Sequence, residues 1–229
     1  MRVSNSVSRL ADYYRRHGLG TTIRRVGVAG RQAFFAGRMV VFYCNLDEQR
    51  LRPIGVPNIL AVKRVNTLAE LSAEHLREMT SFWNPRLASR NIRERFDKGA
   101  SLWLVEFESH LAGFGWTLQG RTIEPYYFPL AQNDVHLFDF HVFSHYRGRG
   151  MNPYLIDRIL DVFATNFGGR AFIEVAEWND AQLSSLRKTP FRCLGFVRSF
   201  SIFDHTLVSW RSGPPVLPFK ELGVAPRVL

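Results

Sequence analysis

The stretch Val135–Leu160 reads VHLFDFHVFSHYRGRGMNPYLIDRIL, and it constrains the fold more than any other part of the chain. Apolar residues dominate its first part, a short basic loop with two glycines follows, and a helical pattern begins near Pro153. A strand that leads through unpaired N–H groups into a helix N-terminus forms a nest for an anion, because those donors and the helix dipole point to one place. The stretch therefore predicts a phosphate-binding unit of strand, loop and helix.

The loop of this unit carries residues suited to an anion. Gly148 and Gly150 allow positive φ and a close approach of the backbone to a ligand, while Arg147 and Arg149 add charges that do not titrate. The loop is not a P-loop, because no Gly-Lys-Ser/Thr follows that would supply a lysine for a γ-phosphate and a hydroxyl for magnesium. It also lacks the glycine spacing of the dinucleotide fingerprint.

The helix after the loop is predicted from Pro153 to Phe167. Proline suits the first turn of a helix, where its missing N–H costs nothing. Gly168-Gly169 ends the pattern. Apolar residues recur between these limits with helical spacing, and they are Leu155, Ile156, Ile159, Leu160, Phe163 and Phe167. One face of this helix is therefore expected to be buried.

At these residues the sequence resembles the GNAT superfamily of acyl-CoA-dependent N-acyltransferases, whose pyrophosphate loop reads Arg/Gln-x-x-Gly-x-Gly/Ala. The corresponding residues here run from Arg147 to Asn152, and Asn152 alone departs from the pattern. Three further features follow in the family's order: a strand at Arg170–Glu177, a helix start at Trp178-Asn179-Asp180 and a closing Gly195-Phe196. The resemblance covers roughly residues 60–211.

The resemblance implies an α/β (α+β) fold with a mixed central sheet of about seven strands and helices on both faces. It also implies acetyl-CoA or a longer acyl-CoA as co-substrate, and no metal. The loop would hold the pyrophosphate, and the backbone where the two parallel strands splay apart would pair with the pantetheine arm. The implied cofactor-binding residues are Val142, Phe143, Arg147, Gly148, Arg149, Gly150, Met151, Asn152 and Asn179.

Acyl transfer to an amine requires a proton acceptor, and the strand before the loop offers three candidates. Titratable groups on a buried strand are unusual unless they are paired or used. Alternation places Asp139 and His141 on one face and His136 on the other, although a bulge would change this facing. Asp139 and His141 could equally bond each other or cap a neighbouring helix. Glu174 and Glu177 are second candidates, expected to face solvent or to pair with arginine.

The family often protonates the leaving thiolate with a tyrosine four residues before the closing Gly-Phe, and that position holds Phe191 here. Phe191 has no proton to give. The remaining donors are water and the hydroxyl groups of Ser184, Ser185 and Tyr154. The alternative is a protein that binds acyl-CoA without turning it over. Cys193 has no adjacent base that would make it an acyl carrier.

The chain carries a net charge of +10, and the charge is uneven: residues 1–46 contain eight Arg, no Lys and one acid. Residues 1–38 are predicted to be an Arg-rich helical extension. Such a segment favours an anionic partner, which could be a membrane surface at the inner face, or it is a solvated helix face. Nucleic acid is disfavoured, because no nucleic-acid motif accompanies the charge.

Residues 39–211 are expected to form the acyltransferase domain and residues 212–229 a Pro-containing tail. No apolar run is long enough to span a bilayer and no signal peptide is evident, so a cytoplasmic enzyme is expected. Its acceptor would be a small-molecule amine, preferably an amino sugar or an amine on a lipid-linked intermediate; the sequence indicates no oligomeric state. Two further helices are predicted, at 67–82 and 85–96, and an irregular loop at Arg121–Asn133 is expected to lie over the acceptor pocket. The further strands are predicted at Met39–Leu46, Ile59–Val65, Ser101–Glu108, Leu111–Gln119, Phe196–Phe203 and Thr206–Arg211.

Overall fold

The computed structural model describes residues 37–48, 59–81, 85–124, 126–202 and 205–211. In that part of the chain there are eight strands: β1 (Arg38–Asn45), β2 (Leu60–Val65), β3 (Ser101–Phe107), β4 (His110–Gln119), β5 (Val135–Val142), β6 (Arg170–Ala176), β7 (Arg192–Ile202) and β8 (His205–Arg211). The four α-helices there are α1 (Ala73–Ser81), α2 (Pro85–Asp97), α3 (Met151–Asn166) and α4 (Asp180–Leu186). The predicted helices of the Arg-rich extension and the predicted tail lie outside the described residues. None of the four helices is long and apolar enough to cross a bilayer.

The eight strands form one mixed sheet in the order β2-β3-β4-β5-β6-β1-β7-β8. β5 and β6 run parallel, and the other neighbouring strands are antiparallel. The sheet is one strand larger than the expected seven. β1 lies inside the sheet between β6 and β7, and its near-continuous apolar sequence, RMVVFYCN, suits a strand that is covered on both faces.

Helices cover both faces of the sheet, as predicted. The apolar side of α3 packs on one face, where Ile156 and Phe163 are almost fully buried. The opposite face packs against α2 through Ile92 and Trp116. Next to α2, the irregular loop after β4 covers the same face with Phe128, which packs against Phe172 of β6. This loop is therefore part of the core.

The helix predicted from residue 67 to residue 82 is divided. A short 3-10 turn occupies Leu68–Glu70, and α1 begins only after Ser72. Side-chain hydrogen bonds mark both starts: Glu70 accepts hydrogen bonds from the Asn66 N–H and the Thr67 hydroxyl just before the 3-10 turn, and the Ser72 hydroxyl accepts one from the N–H of His75. The bond to Ser72 satisfies a free N–H group in the first turn of α1, so a new helix starts there instead of one long helix continuing.

β7 begins at Arg192, four residues earlier than the predicted Phe196, because its first residues pair with β1. Arg192 lies opposite Tyr43 and Cys193 opposite Phe42. A shift in register then precedes the pair of Gly195 with Val41. The predicted Gly-Phe therefore lies inside a strand.

β5 contains a bulge at Asp139, and this bulge decides which side chains share a face. Asp139 has φ of 53°, and the register with β4 shifts so that His141 lies opposite Phe114 but Phe138 lies opposite Trp116. The extra residue in β5 reverses, for the residues after it, which side chains point to which face of the sheet. His136 and Phe138 before the bulge therefore face α2, as does His141 after it. The prediction that His136 lies on the opposite face is wrong for this reason.

The parallel pairing of β5 with β6 is short. It extends over three residue pairs, from Val135 with Ala171 to Leu137 with Ile173, and stops before the bulge. Beyond Leu137 the two strands separate, so the backbone of β5 up to Val142 has no partner strand on this side. The predicted splay of the two strands is thus present, and it begins two residues before Asp139.

The bulge predicts a specific order of stabilities among variants of Asp139. Replacing Asp139 by Asn or by Val removes the carboxylate in both cases, but only Asn adopts positive φ at low cost. Asp139→Val is therefore expected to be less stable than Asp139→Asn by about 1–2 kcal/mol. Urea unfolding of the two variants measures the difference. Equal stabilities would show that the left-handed conformation at this position does not hold the bulge.

Candidate functional site

A cleft of about 450 Å³ opens at the end of β5, between the glycine loop and α4. Seven of the nine predicted cofactor-binding residues line it: Val142, Arg147, Gly148, Gly150, Met151, Asn152 and Asn179. The cleft therefore collects the end of β5, the loop, the first turn of α3 and the start of α4 around one space.

The other two predicted residues, Phe143 and Arg149, do not line the cleft. Phe143 turns to the opposite side of the strand and packs edge-on against Phe114, with ring centroids 6.2 Å apart. The Arg149 guanidinium lies over the rings of Phe107 and Tyr146, 5.6 Å and 5.9 Å from their centroids. Of the two loop arginines, only Arg147 faces the cleft.

The glycine loop has the geometry of an anion nest. Gly148 and Gly150 both have positive φ, of 77° and 76°, and a Cβ at either position would meet no described atom within 4 Å. Glycine is therefore required for backbone conformation here, and the space beside it is open. No described side chain caps the N-terminus of α3, and two cations, Arg147 and Lys188, line the same cleft. This combination favours a phosphate-bearing ligand.

The walls of the cleft are fixed by side-chain hydrogen bonds. Arg147 Nε donates to the carbonyl oxygen of Val142 at 3.0 Å, which holds the arginine against the end of β5. Asn179 Oδ1 accepts from the N–H of Gln182 at 3.2 Å and so caps α4. The Asn179 side chain is thus engaged in starting the helix, and the sequence prediction of a helix start at this residue is confirmed.

Asn152, which departs from the family's loop pattern, connects two helices. Its Nδ2 donates to Gln182 Oε1 at 3.1 Å and to Ser185 Oγ at 2.8 Å, and both acceptors lie on α4. Its Oδ1 is buried and has no hydrogen-bond partner among the described residues. A glycine or alanine could not make this connection between α3 and α4.

The candidate proton donors do not all lie at the cleft. Ser184 and Ser185 line the cleft, whereas Tyr154 lines a separate cavity beside β2. Phe191 is buried in the core on the α3 side of the sheet, so it brings no polar atom to the cleft. Burial raises the pKa of the Cys193 thiol, which disfavours the thiolate that an acyl carrier would need.

His141 lies where the cleft meets a second cavity. This cavity, of about 280 Å³, lies between β5 and α2, and His141 and Phe140 line both spaces. The imidazole stacks on Phe114, with ring centroids 5.6 Å apart. Burial lowers the pKa of His141, the positive charge of Arg147 lowers it further, and Asp139 opposes the shift. The ring is therefore neutral at pH 7 and can accept a proton.

Asp139 is held by α2. Its carboxylate forms an ion pair with Arg95, whose guanidinium lies over the rings of Trp116 and Phe138, 5.2 Å and 5.7 Å from their centroids. The ion pair connects α2 to the bulge. Because the carboxylate is engaged by the Arg95 guanidinium, this geometry favours a positioning role for Asp139 over proton transfer.

His136 is buried and bonded to Glu174 of β6, with 2.7 Å between Nε2 and Oε2. The pair lines a third cavity, of about 350 Å³, together with Tyr126 and Tyr127 of the loop after β4. Glu174 was expected to face solvent or to pair with arginine, and that prediction is wrong. The sequence does not signal the bond between His136 and Glu174 or their shared cavity, because both features depend on the register of β5 against β6. Glu177 does pair with an arginine, Arg211, at 3.1 Å.

One comparison with known proteins identifies a family. The model of the acetyltransferase (GNAT) family matches residues 68–188. No curated protein sequence shows significant similarity to the chain.

Several solved structures resemble the chain at low sequence identity. A GNAT-family protein from Novosphingobium aromaticivorans shares 14% identity over 69% of this chain and 60% of its own, with a TM-score of 0.45. A GCN5-related N-acetyltransferase from Kribbella flavida shares 10% identity over 70% and 56%, with a TM-score of 0.46. An aminoglycoside acetyltransferase from an uncultured soil metagenomic sample shares 13% over 58% and 88%, with a TM-score of 0.41. The chain spans less than two thirds of the length of the first two.

The charges around His141 predict how its titration responds to substitution. The pKa of His141 should lie below the usual 6.5. Removing the cation in Arg147→Ala should raise this pKa, and removing the anion in Asp139→Asn should lower it further. NMR titration of the imidazole signals measures both shifts, with Arg158→Ala, on the outer part of α3, as a control that leaves the pKa unchanged. A value of 6.5 or higher, or no response to Arg147→Ala, would contradict this account.

Proposed function

Because the chain belongs to the acetyltransferase (GNAT) family, we propose that it transfers an acyl group from acyl-CoA to a primary amine. One observation carries this proposal: the glycine loop, Arg147 and the fork between β5 and β6 meet in a single cleft. An anion nest alone would suit many phosphate ligands. The adjoining β5, which has no partner strand on the β6 side beyond Leu137, suits the extended amide-bearing arm that joins the phosphates of CoA to its thioester.

Different residues of the cleft would bind different parts of the co-substrate. The backbone N–H groups around Gly148 and Gly150, with Arg147, would hold the pyrophosphate. The backbone of β5 up to Val142 would pair with the pantetheine amides, as would the chain near Asn179. Arg149 and Phe143 are left out of this set, because their side chains are packed elsewhere. The site requires no metal for this chemistry.

We further propose that the amine approaches from the side of β5 that faces α2. The three predicted catalytic residues, His136, Asp139 and His141, lie on that side. The amine would attack the thioester carbonyl directly in a ternary complex, without a covalent enzyme intermediate. Asp139 would position the bulge through Arg95, and His141 would form the polar edge between the co-substrate and the acceptor.

The leaving thiolate would take its proton from water or from a serine of α4, Ser184 or Ser185, which both line the cleft. The Ser185 Oγ accepts a hydrogen bond from Asn152, which orients the hydroxyl and leaves its own proton to be donated. A thiolate is a fair leaving group, so the absence of a tyrosine at Phe191 slows this step less than it would for an alkoxide. Acetyl is the acyl group we propose, and the acceptor is a small amine such as an amino sugar or the amine of a lipid-linked intermediate.

A second candidate function is a non-catalytic acyl-CoA-binding module that reaches a membrane or a partner through residues 1–38. The observation that favours it is Phe191, which is 7% exposed and occupies the position where the family often has its acid. The two functions differ in turnover and not in co-substrate binding. Release of the CoA thiol in the presence of a panel of primary amines supports the enzyme, whereas binding without release for every amine supports the module.

The co-substrate site can be tested with variants of the loop. Acetyl-CoA at about 100 times its Kd should stabilise the protein by about 2.7 kcal/mol. Arg147→Ala combined with Gly150→Asp should abolish this stabilisation, because it removes a cation and puts an anion into the nest. Arg149→Ala is the matched control, expected to retain most of the effect because Arg149 lies over Phe107 and Tyr146. Equal stabilisation of both variants would refute the assignment of the cleft to acyl-CoA.

A further inference from the structure

The cavity between β5, β6 and the loop after β4, here called the tyrosine cavity, is not explained by co-substrate binding. It encloses about 350 Å³ and shares none of its lining residues with the cleft. Its wall includes Tyr126, Tyr127 and Phe138, and its polar groups include His136 and Glu174. The hydrogen-bonded pair of His136 and Glu174 in the wall of this cavity, together with the charges around it, indicates a ligand.

The tyrosine cavity lies at the point where β5 and β6 separate. The last residue pair of the two strands is Leu137 with Ile173, and Glu174 follows immediately on β6. The cavity also shares Asn91 and Arg95 of α2 with the smaller cavity lined by His141. A ligand in the tyrosine cavity would therefore lie beside the fork, on the side from which the amine is proposed to approach.

Aromatic rings surround the polar pair. The ring of Tyr126 lies 4.9 Å from that of Tyr127 and 4.9 Å from the imidazole of His136, measured between centroids. His136 in turn stacks on Phe138 at 5.2 Å. Ring faces attract organic cations, most strongly where water is excluded. Aromatic cages bind quaternary ammonium ligands in this way, and a carboxylate beside the rings adds an ion pair for an ammonium group that carries N–H donors.

The charges lining the cavity are mainly negative, although the chain as a whole has a net charge of +10. Three carboxylates line it, those of Glu94, Glu124 and Glu174. Lys98 pairs with Glu94 at 2.9 Å, and the lining cation Arg95 is paired with Asp139. Because these ion pairs compensate the charges of Glu94 and Arg95, Glu124 and Glu174 give the cavity a negative electrostatic potential.

The two tyrosines are consistent with this potential. Burial, and then the negative charge of Glu174, raises the pKa of Tyr126 well above its usual value. The same two causes raise the pKa of Tyr127. Both phenols are therefore neutral at physiological pH and present intact rings and hydroxyl groups to a cation.

We propose that the tyrosine cavity binds the acceptor as its ammonium ion, with Glu174 as counter-ion and proton acceptor and His136 as the residue that positions Glu174. This inference rests on the proposed function, because it names the acceptor site of the same reaction. An ionised carboxylate only accepts hydrogen bonds, so Nε2 of His136 carries the proton in the bond to Glu174. That bond fixes the rotamer of Glu174 in the wall of the cavity.

The proton balance of the reaction follows from this arrangement. The ammonium group gives one proton to the Glu174 carboxylate and becomes a neutral amine. The amine nitrogen forms a bond to the thioester carbonyl carbon, the C–S bond breaks, and the second N–H proton neutralises the leaving thiolate by way of water or a serine hydroxyl of α4. Glu174 then returns its proton to solvent. The products are an amide and the free thiol of CoA.

The size of the cavity limits the class of acceptor. A volume of about 350 Å³ is at the lower end for ligand pockets in proteins. The amine-bearing part of the acceptor is therefore compact, of the size of a monosaccharide or a short alkylamine. The carboxylates and rings select a primary ammonium group over a hydroxyl group in the same position.

The test compares a cation with a neutral molecule of the same shape. n-Butylammonium and n-butanol form one pair of probes, and glucosamine and glucose form another. Ring signals of 13C-labelled tyrosine, assigned with Tyr126→Phe and Tyr127→Phe, should shift on addition of each ammonium probe at concentrations where its neutral counterpart has no effect. Glu174→Gln should weaken ammonium binding by about tenfold or more. Equal responses to both members of each pair would overturn the proposal.

Two further variants separate the role of Glu174 from general effects on the fold. Glu177→Gln is the matched control, because Glu177 is a carboxylate near the end of the same strand but pairs with Arg211 outside the cavity. It should bind the probes like the unmodified protein. If Glu174→Gln does not fold, Glu124→Gln, at an exposed position, should weaken ammonium binding in the same direction. Whichever of Glu174→Gln and Glu124→Gln is tested as a folded protein, unchanged ammonium binding would overturn the proposal.

Kinetics and co-substrate binding complete the test. In turnover with acetyl-CoA, Glu174→Gln should raise KM for the amine and lower kcat, whereas His136→Gln should chiefly lower kcat. Acetyl-CoA stabilisation is measured on the same samples. Stabilisation without ammonium binding would refute the tyrosine cavity alone and leave acyl transfer standing. Ammonium binding without stabilisation would refute acyl transfer, and with it the role of the cavity as an acceptor site.

Discussion

The separation of β5 from β6 after three residue pairs is the constraint on which the rest of the site depends. Parallel neighbours would ordinarily continue their hydrogen-bond ladder, because an unpaired strand edge in the interior of a sheet leaves polar groups without partners. Here the bulge at Asp139 bends β5 away, and the ion pair with Arg95 connects the bulge to α2. The fork thereby exposes a backbone edge beside the glycine loop.

Side chains of opposite charge line the two spaces beside β5. Basic groups, Arg147 and Lys188, line the cleft at the end of β5. Carboxylates, Glu124 and Glu174, line the tyrosine cavity on the side of α2. Because one inserted residue reverses the alternation, His136 and His141 share a face that a regular strand would not give them. The cleft and the tyrosine cavity thus differ in the sign of their charge although both lie within a few residues of one strand.

The sequence was sufficient for features that local chemistry determines. The loop from Arg147 to Gly150, the helix that follows it and the cap at Asn179 all depend on neighbouring residues, and each was predicted close to its position. Three features that depend on distant strands were not predicted. The insertion of β1 between β6 and β7, the facing of His136 and its bond to Glu174 are decided by register, and no residue near them in sequence specifies it.

Two departures from the family's pattern, at Asn152 and Phe191, lie on either side of α4 in the chain. Asn152 replaces a small residue with a side chain that bonds α3 to α4 through Gln182 and Ser185. Phe191, just after α4, is buried in the core that α3 and α4 share, and Leu186 of α4 belongs to the same core. Asn152 holds α4 in place by hydrogen bonds. A wall that is already fixed costs little to order on binding. Under the proposed function, this rigidity accompanies the loss of the phenolic acid at Phe191, and water or a serine hydroxyl of α4 would protonate the thiolate.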